Sequence, residues 1–337
     1  MYDVAIIGAG ITGTSIAREL SRYRLQVVLI EKDSDVANGT TKGNSAIIHA
    51  GFDPETGTLK AQFNAAGNQL YRKLCRELEV PYKEIGSLVI AFSEEEEQTL
   101  RDLFERGLAN NIPGLELVGQ KELHRMEHAL NKKARSALYA ATAGIVDPYL
   151  MAIALAESAA VNGVDIRLNC PVTGIRRTAA GFRISCGNSE IETGQVINAA
   201  GLYADRISEL VNPPSFKIMP TRGEYFLLDK GTGRLARHVL FPCPTSLGKG
   251  VLISPTVHGN LIIGPNAEPV QSREATETTA SGLAYVREHA EKIKPRFLPY
   301  DQVITSFSGL RAKSDRGDFI VEESAETPGF FNAAGID

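Results

Sequence analysis

The chain lacks any run of about eighteen consecutive apolar residues, so nothing in it reads as a membrane-spanning helix. Its opening apolar segment is no signal-peptide core either. Asp3 interrupts it, no basic residue precedes it and no small-residue cleavage site follows. A cytoplasmic location is therefore expected, with peripheral membrane contact left open. An excess of one charge is also missing. With 36 Lys and Arg against 40 Asp and Glu, the net charge is −4 and the signs are interspersed, which excludes the electrostatic footprint of a nucleic-acid binder. Cysteine is scarce. Cys75, Cys170, Cys186 and Cys243 form no C-x-x-C pair, which removes zinc ribbons and redox dithiols of that kind and predicts buried free thiols. Internal repeats and low-complexity segments are absent as well.

What is present begins at the N-terminus, in MYDVAIIGAGITGT. Val4 to Ile7 reads as a buried parallel strand, Gly8, Gly10 and Gly13 form G-x-G-x-x-G directly behind it, and Ile16, Ala17 and Leu20 give the following helix an apolar face. Such a turn offers backbone N–H groups and a positive helix end to a pyrophosphate. A second apolar run, Val27 to Ile30, ends in Glu31, about twenty residues on, where a carboxylate can accept from an adenosine ribose. This unit fits NAD as well as FAD.

At 337 residues and 43% hydrophobic content, the chain has material for about two domains. Leu59, Phe63, Ala66, Leu70, Leu74 and Leu78 recur at helical spacing and predict a helix with that face buried. Helices are also expected over 94–109, with Ser93 ahead of four glutamates, and over 120–128 and 150–161. Short β runs alternate from 165 to 199. From 216 to 308 several more, interrupted by one helix near 280–293, read as a mainly antiparallel sheet.

Two later motifs narrow the reading. Thr40-Thr41-Lys42-Gly43-Asn44-Ser45 leads into Ile47-Ile48-His49-Ala50-Gly51, and Val196-Ile197 runs into Asn198-Ala199-Ala200-Gly201. Small residues at the end of a strand let backbone approach a ligand where a larger side chain would collide. With these motifs the chain resembles, over essentially its whole length, the FAD-dependent oxidoreductases of the D-amino-acid oxidase and glycerol-3-phosphate dehydrogenase type. Within that group it is similar to the bacterial glycerol-3-phosphate dehydrogenase and L-2-hydroxyglutarate dehydrogenase branches.

The resemblance implies an α/β plus antiparallel β fold: a Rossmann-like FAD-binding domain from 1–80, 145–212 and 305–337, and a discontinuous, sheet-rich substrate domain from 81–144 and 213–304. It implies noncovalent FAD, since the flavin loop lacks the His or Cys that some members bond to the ring. Gly8, Gly10, Ile11, Thr12 and Gly13 would meet the pyrophosphate, Glu31 and Lys32 the ribose, and Val172 in Cys170-Pro171-Val172 the adenine. Thr40, Thr41, Asn44, Ser45, Ala199, Ala200, Gly201 and Arg311 would complete the cofactor site. The closing Asn332-Ala333-Ala334-Gly335-Ile336-Asp337 resembles the family's last flavin-domain strand and turn, so a truncated form is expected, without the helix or the iron–sulfur module that follows in some members.

Oxidation on a flavin needs an anchor for the substrate's anionic group and an acceptor for its hydroxyl or amine proton. Arg222 and Arg311 are the candidate anchors, because a guanidinium pairs bidentately with carboxylate or phosphate. His49 and His238 are the candidate proton acceptors, with Tyr225 as an alternative hydrogen-bond donor. The expected function is dehydrogenation of a small anionic secondary alcohol, sn-glycerol 3-phosphate first, with electrons passed to a quinone or a partner protein. L-2-hydroxyglutarate oxidation, amino-acid or amine oxidation, and a flavin-binding scaffold with little turnover are the alternatives.

Overall fold

The computed structural model describes residues 1–187, 189–244 and 250–336. Its first sheet has eight strands in the order Val172–Thr178, Gly181–Cys186, Ser189–Asn198, Tyr2–Ile7, Val27–Ile30 and Asp165–Arg167, with Phe330–Ala334 on the central Ser189–Asn198 strand and Ile320–Glu323 outside it. The strand Tyr2–Ile7 runs parallel to both neighbours and is covered on both faces. Ala5 and Ile7 pack with Val28, Phe182 and Phe330; Val4 and Ile6 pack with Ala17, Ala156 and Ala159 of the helices Ile11–Leu20 and Pro148–Val161. Burial on both sides explains why this strand is apolar at every position from Val4 to Ile7.

The second sheet has nine strands and is antiparallel except where Val239–Pro242 lies parallel to Ser87–Ala91. Its longest pairing joins Ile218–Leu228 to Val303–Ser314. The helix Ala280–Ile293 covers one face through Val286, Ala290 and Ile293. A small third sheet of Ile47–Ile48, Gly144–Val146 and Tyr82–Glu84 lies between, carrying the chain out of the 40–45 loop.

Three expectations differ from this arrangement. The block 305–337 is split: Val303–Ser314 belongs to the second sheet, and only Ile320–Glu323 and Phe330–Ala334 join the first; Asp337 lies outside the described residues. The long strand pair Ile218–Leu228 and Val303–Ser314 keeps a near-continuous register, which outweighs the sequence proximity of 305–314 to the terminal strands. The helix Leu59–Glu77 buries only part of its leucine stripe: Leu74 and Leu78 pack against Cys75, Val80, Met151 and Leu155, while Phe63 is 43% and Leu70 63% exposed. Its Ala61, Asn68 and Cys75 side turns inward, where the Asn68 amide donates to two loop carbonyls. Finally, Cys170 and Cys186 are bonded to each other, while Cys75 and Cys243 are the buried free thiols. Their spacing of 16 residues closes because both stand at the open end of one hairpin, where Cys186 is opposite Val172.

Burial pushes the Cys75 thiol up to about 11 and the Cys243 thiol up to about 12, so both stay protonated near neutral pH.

The helix Leu59–Glu77 is tied at its start to the turn between Val303–Ser314 and Ile320–Glu323. Thr58 caps it by accepting from Ala61 N, and the Asp318 carboxylate accepts from Leu59 N and Lys60 N, both at 2.9 Å. Partial desolvation opposes ionisation of Asp318, but the backbone donors of Lys60, Leu59 and Phe319 prevail and hold its carboxyl below the usual range. A carboxyl with a depressed folded value stabilises above its unfolded value and loses that contribution as pH falls through the folded one. Asp318→Ala is therefore expected to cost about 1 kcal/mol at neutral pH. In urea denaturation the gap from wild type should narrow below about pH 4; a gap that is constant with pH would contradict the assignment.

Candidate active site

A cavity of about 2000 Å³ opens between the first and second sheets and runs from Glu31 to Tyr225. At one end the turn after Tyr2–Ile7 is shaped by its glycines. Gly8 has φ +103°, and a Cβ on it would lie 2.5 Å from Ala199 O; a Cβ on Gly13 would lie 1.8 Å from Gly8 O. Gly13 thus packs the helix onto the turn and does not face the cavity, whereas Gly8, Gly10, Ile11 and Thr12 line it. The helix Ile11–Leu20 begins at Gly10 with no side-chain cap and no acidic residue in its first turn. An anion is the partner such an end lacks.

Glu31 is 8% exposed at the tip of Val27–Ile30 and accepts from Ala9 N at 2.7 Å and Asp33 N at 3.0 Å. These bonds fix the carboxylate at the cavity wall, beside Lys32 and, across it, Val172. Ala199, Ala200 and Gly201 line the opposite side. A dinucleotide fits this end: a helix start whose N-cap residue, Gly10, offers no side chain, for the pyrophosphate, an oriented carboxylate for a ribose, and a wall without bulky side chains.

The loop of Thr40, Thr41, Asn44 and Ser45 forms the floor. Thr41 Oγ1 accepts from Ile11 N at 3.0 Å, Asn44 donates to Thr41 O at 2.7 Å and accepts from Ala46 N at 2.8 Å, and Thr40 donates to Leu310 O at 2.7 Å. The loop is thereby bonded to the first sheet's helix and to the second sheet's strand together. Its contact with Val303–Ser314 is so close that a Cβ on Gly309 would sit 1.7 Å from Gly43 O.

Strand parity decides which side chains of the second sheet reach the cavity. On Ile218–Leu228, Thr221 and Tyr225 face it, and the residues directly opposite them, Arg311 and Phe307, share that face. Tyr225 stacks on Phe307 with ring centroids 4.8 Å apart and lies 3.1 Å from Ser45 Oγ through its hydroxyl. Arg311 lines the cavity and has no ion-pair partner among the described residues. His49 reaches the same space, its ring 5.9 Å from that of Phe241.

Arg222 and His238 are not brought there. Arg222 alternates to the far face, is 4% exposed, and is paired with Glu268 at 2.7 Å and with Glu277. Beside it the buried Glu224 accepts from Thr279 N and Thr279 Oγ1, holding the start of Ala280–Ile293. His238 Nδ1 lies 3.2 Å from Glu127 Oε1, and Glu127 also meets Lys294 Nζ at 3.1 Å, in a cluster buried beneath the second sheet. Burial lowers the Lys294 ammonium from its ordinary value against the pull of Glu127. Both residues stabilise the substrate-side sheet; neither touches the cavity.

Asn68 was invisible as a site residue in the sequence. Its amide donates to His49 O at 3.0 Å and Thr142 O at 2.9 Å, so it sets the backbone that carries His49. A lone Asn on a helix carries no motif, and no sequence signal singled it out.

Residues 3–337 match the family model described as FAD dependent oxidoreductase. The chain belongs to that family. It is 50% identical over 337 residues to a glycerol 3-phosphate dehydrogenase of Caloramator mitchellensis, covering 100% of this chain and 70% of that protein. It is 32% identical over 290 residues to human mitochondrial L-2-hydroxyglutarate dehydrogenase, covering 81% of this chain and 62% of that one. A solved structure of dithionite-reduced L-alpha-glycerophosphate oxidase from Mycoplasma pneumoniae with FAD bound superimposes with a TM-score of 0.93 at 30% identity, covering 99% of this chain and 89% of that one. As a member of the family, this protein is an FAD-dependent oxidoreductase with the mixed α/β and antiparallel architecture expected. No helix among the described residues is long and apolar enough to cross a membrane.

Gly309→Ala tests the coupling of the Thr40 to Ser45 loop to the second sheet. The added methyl has to displace Gly43, so the variant is expected to keep its far-ultraviolet circular dichroism and lose FAD at least tenfold faster on gel filtration. Unchanged flavin retention would show that the loop is not held by this contact.

Proposed function

We propose that this oxidoreductase removes hydride from the secondary alcohol carbon of sn-glycerol 3-phosphate, with the first sheet holding FAD and the second sheet holding substrate. The observation that carries the reading is Arg311, a cavity-facing guanidinium with no ion-pair partner among the described residues. Its planar fork matches two oxygens of a phosphate. The family and the 50% identical glycerol 3-phosphate dehydrogenase support it.

FAD, when bound, supplies the hydride acceptor. The chain's own residues do the rest. Arg311 binds the phosphate and so fixes which carbon is presented. His49 takes the hydroxyl proton at an imidazole nitrogen as the C–H bond breaks, the part a side chain with a basic ring nitrogen can play. Asn68 holds the His49 backbone, and the Ser45 and Tyr225 hydroxyls, 3.1 Å apart, fix the loop against the substrate strand. Electrons leave to a quinone or an electron-transfer protein.

A carboxylate would pair with Arg311 as well, which makes L-2-hydroxyglutarate the second reading, supported by the 32% identical dehydrogenase of that substrate. Anaerobic titration of the yellow holoprotein separates the two. Glycerol 3-phosphate is expected to bleach the flavin within the mixing time of a manual experiment; bleaching by L-2-hydroxyglutarate alone would replace the first reading with the second.

The two arginines should also separate. Losing one charged hydrogen bond is worth about 1.5–3 kcal/mol, so Arg311→Lys is expected to raise KM roughly 10- to 100-fold. Arg222→Lys, on the far face, should lower thermal stability with KM within about threefold of wild type. The reverse pattern would move the anchor to Arg222.

A further inference from the structure

We propose that Cys170 and Cys186 are a reversible thiol–disulfide pair that sets how firmly the adenine end of the FAD site is held. The proposal rests on the cavity being the FAD site. The two residues are bonded, with Cα atoms 5.2 Å apart, inside the range that disulfides span.

Their position gives the bond its consequence. Cys170, Pro171 and Val172 line the cavity at the Glu31 and Lys32 end. This short segment is stitched to the ribose-side strand tip: Cys170 N donates to Glu31 O at 2.8 Å and Asn169 N to Asp33 O at 2.9 Å. On its other side the pairing of Val172–Thr178 with Gly181–Cys186 is irregular between Val172 and Gly174. The ladder is thus weakest where the segment meets the cavity, and the sulfur bridge closes that gap. Cys186 anchors it in the core with Ile184, Phe182 and Phe330, at 2% exposure. Besides the bridge, the open end of the hairpin is held by the pairing of Val172 with Cys186, by Gly187 N donating to Pro171 O at 3.2 Å and by a long Thr173 Oγ1 to Ser185 O bond of 3.5 Å.

The chemistry closes with a low-molecular-weight disulfide as oxidant. The Cys170 thiolate, at the cavity wall, attacks one sulfur of glutathione disulfide and expels one glutathione thiolate. Cys186 then attacks Cys170 Sγ in the mixed disulfide and expels the second. Two protein thiols are oxidised, one glutathione disulfide is reduced to two glutathiones, and a dithiol reverses the sequence. Cys75 and Cys243, buried and held protonated, stay out of this exchange.

The test uses the FAD-loaded protein, equilibrated with glutathione disulfide or with a phosphine reductant. Thiol titration in denaturant is expected to find two thiols in the first sample and four in the second, from the four cysteines of the chain. Released FAD, read by its fluorescence after dilution, should appear at least threefold more slowly from the oxidised sample. The C170S/C186S double variant should match the reduced wild type under both treatments. Four thiols after oxidation would overturn the pair. Equal FAD release from the two wild-type samples would overturn its role, with no variant needed. Protein that binds no flavin in either state would overturn the cofactor assignment instead, while the thiol count still judges the bond.

Discussion

The approach of Gly43 to Gly309 is the contact on which the rest of the site depends. Two backbones meet there with no side chain between them, and the loop of Thr40 to Ser45 is thereby laid on the second sheet while Thr41 stays bonded to the first helix. One loop is in this way shared by both sheets. The loop lines the cavity between the sheets while its hydrogen bonds reach both of them. Everything chemical, from Glu31 at one end to Arg311 and His49 at the other, is arranged along it.

The Glu31 end of the cavity was readable in the sequence because its physics is local. A strand, three glycines and a helix are contiguous, and the requirement for small residues at Gly8 and Gly13 is met within fourteen residues of the N-terminus. Glu31 and the small residues Ala199 to Gly201 were readable for the same reason, each closing a strand. The substrate end was harder. Arg222 and Arg311 look alike in sequence, and only the register of Ile218–Leu228 against Val303–Ser314 tells that one faces the cavity and the other lies beneath it. Strand parity was available for Arg222, since Tyr225 is three residues away and must face oppositely; which of the two faces the cavity was not.

Other differences share that character. The leucine stripe of Leu59–Glu77 has a helical period, yet the inward side carries Asn68, whose amide meets two loop carbonyls from distant parts of the chain. The inward side is apolar as well, with Tyr71, Leu74, Cys75 and Leu78 packed around Val80, Met151 and Leu155, so the buried face is rotated from the predicted stripe and not replaced by a polar one. Cys170 and Cys186 looked far apart until a hairpin folded one onto the other. The buried cluster of Glu127, His238 and Lys294 likewise joins three segments that no motif connects, and it explains a histidine that composition alone would offer to catalysis.

On the proposed reading the substrate's anionic group lies on the cavity face of the second sheet, against flavin held by the shared loop. A crystal structure of the reduced, FAD-bound protein with glycerol 3-phosphate tests it most directly. Phosphate oxygens are expected within hydrogen-bonding distance of the Arg311 guanidinium, with the secondary carbon over the flavin and His49 beside the hydroxyl. A phosphate held at Arg222, with Glu268 and Glu277 displaced, would contradict it.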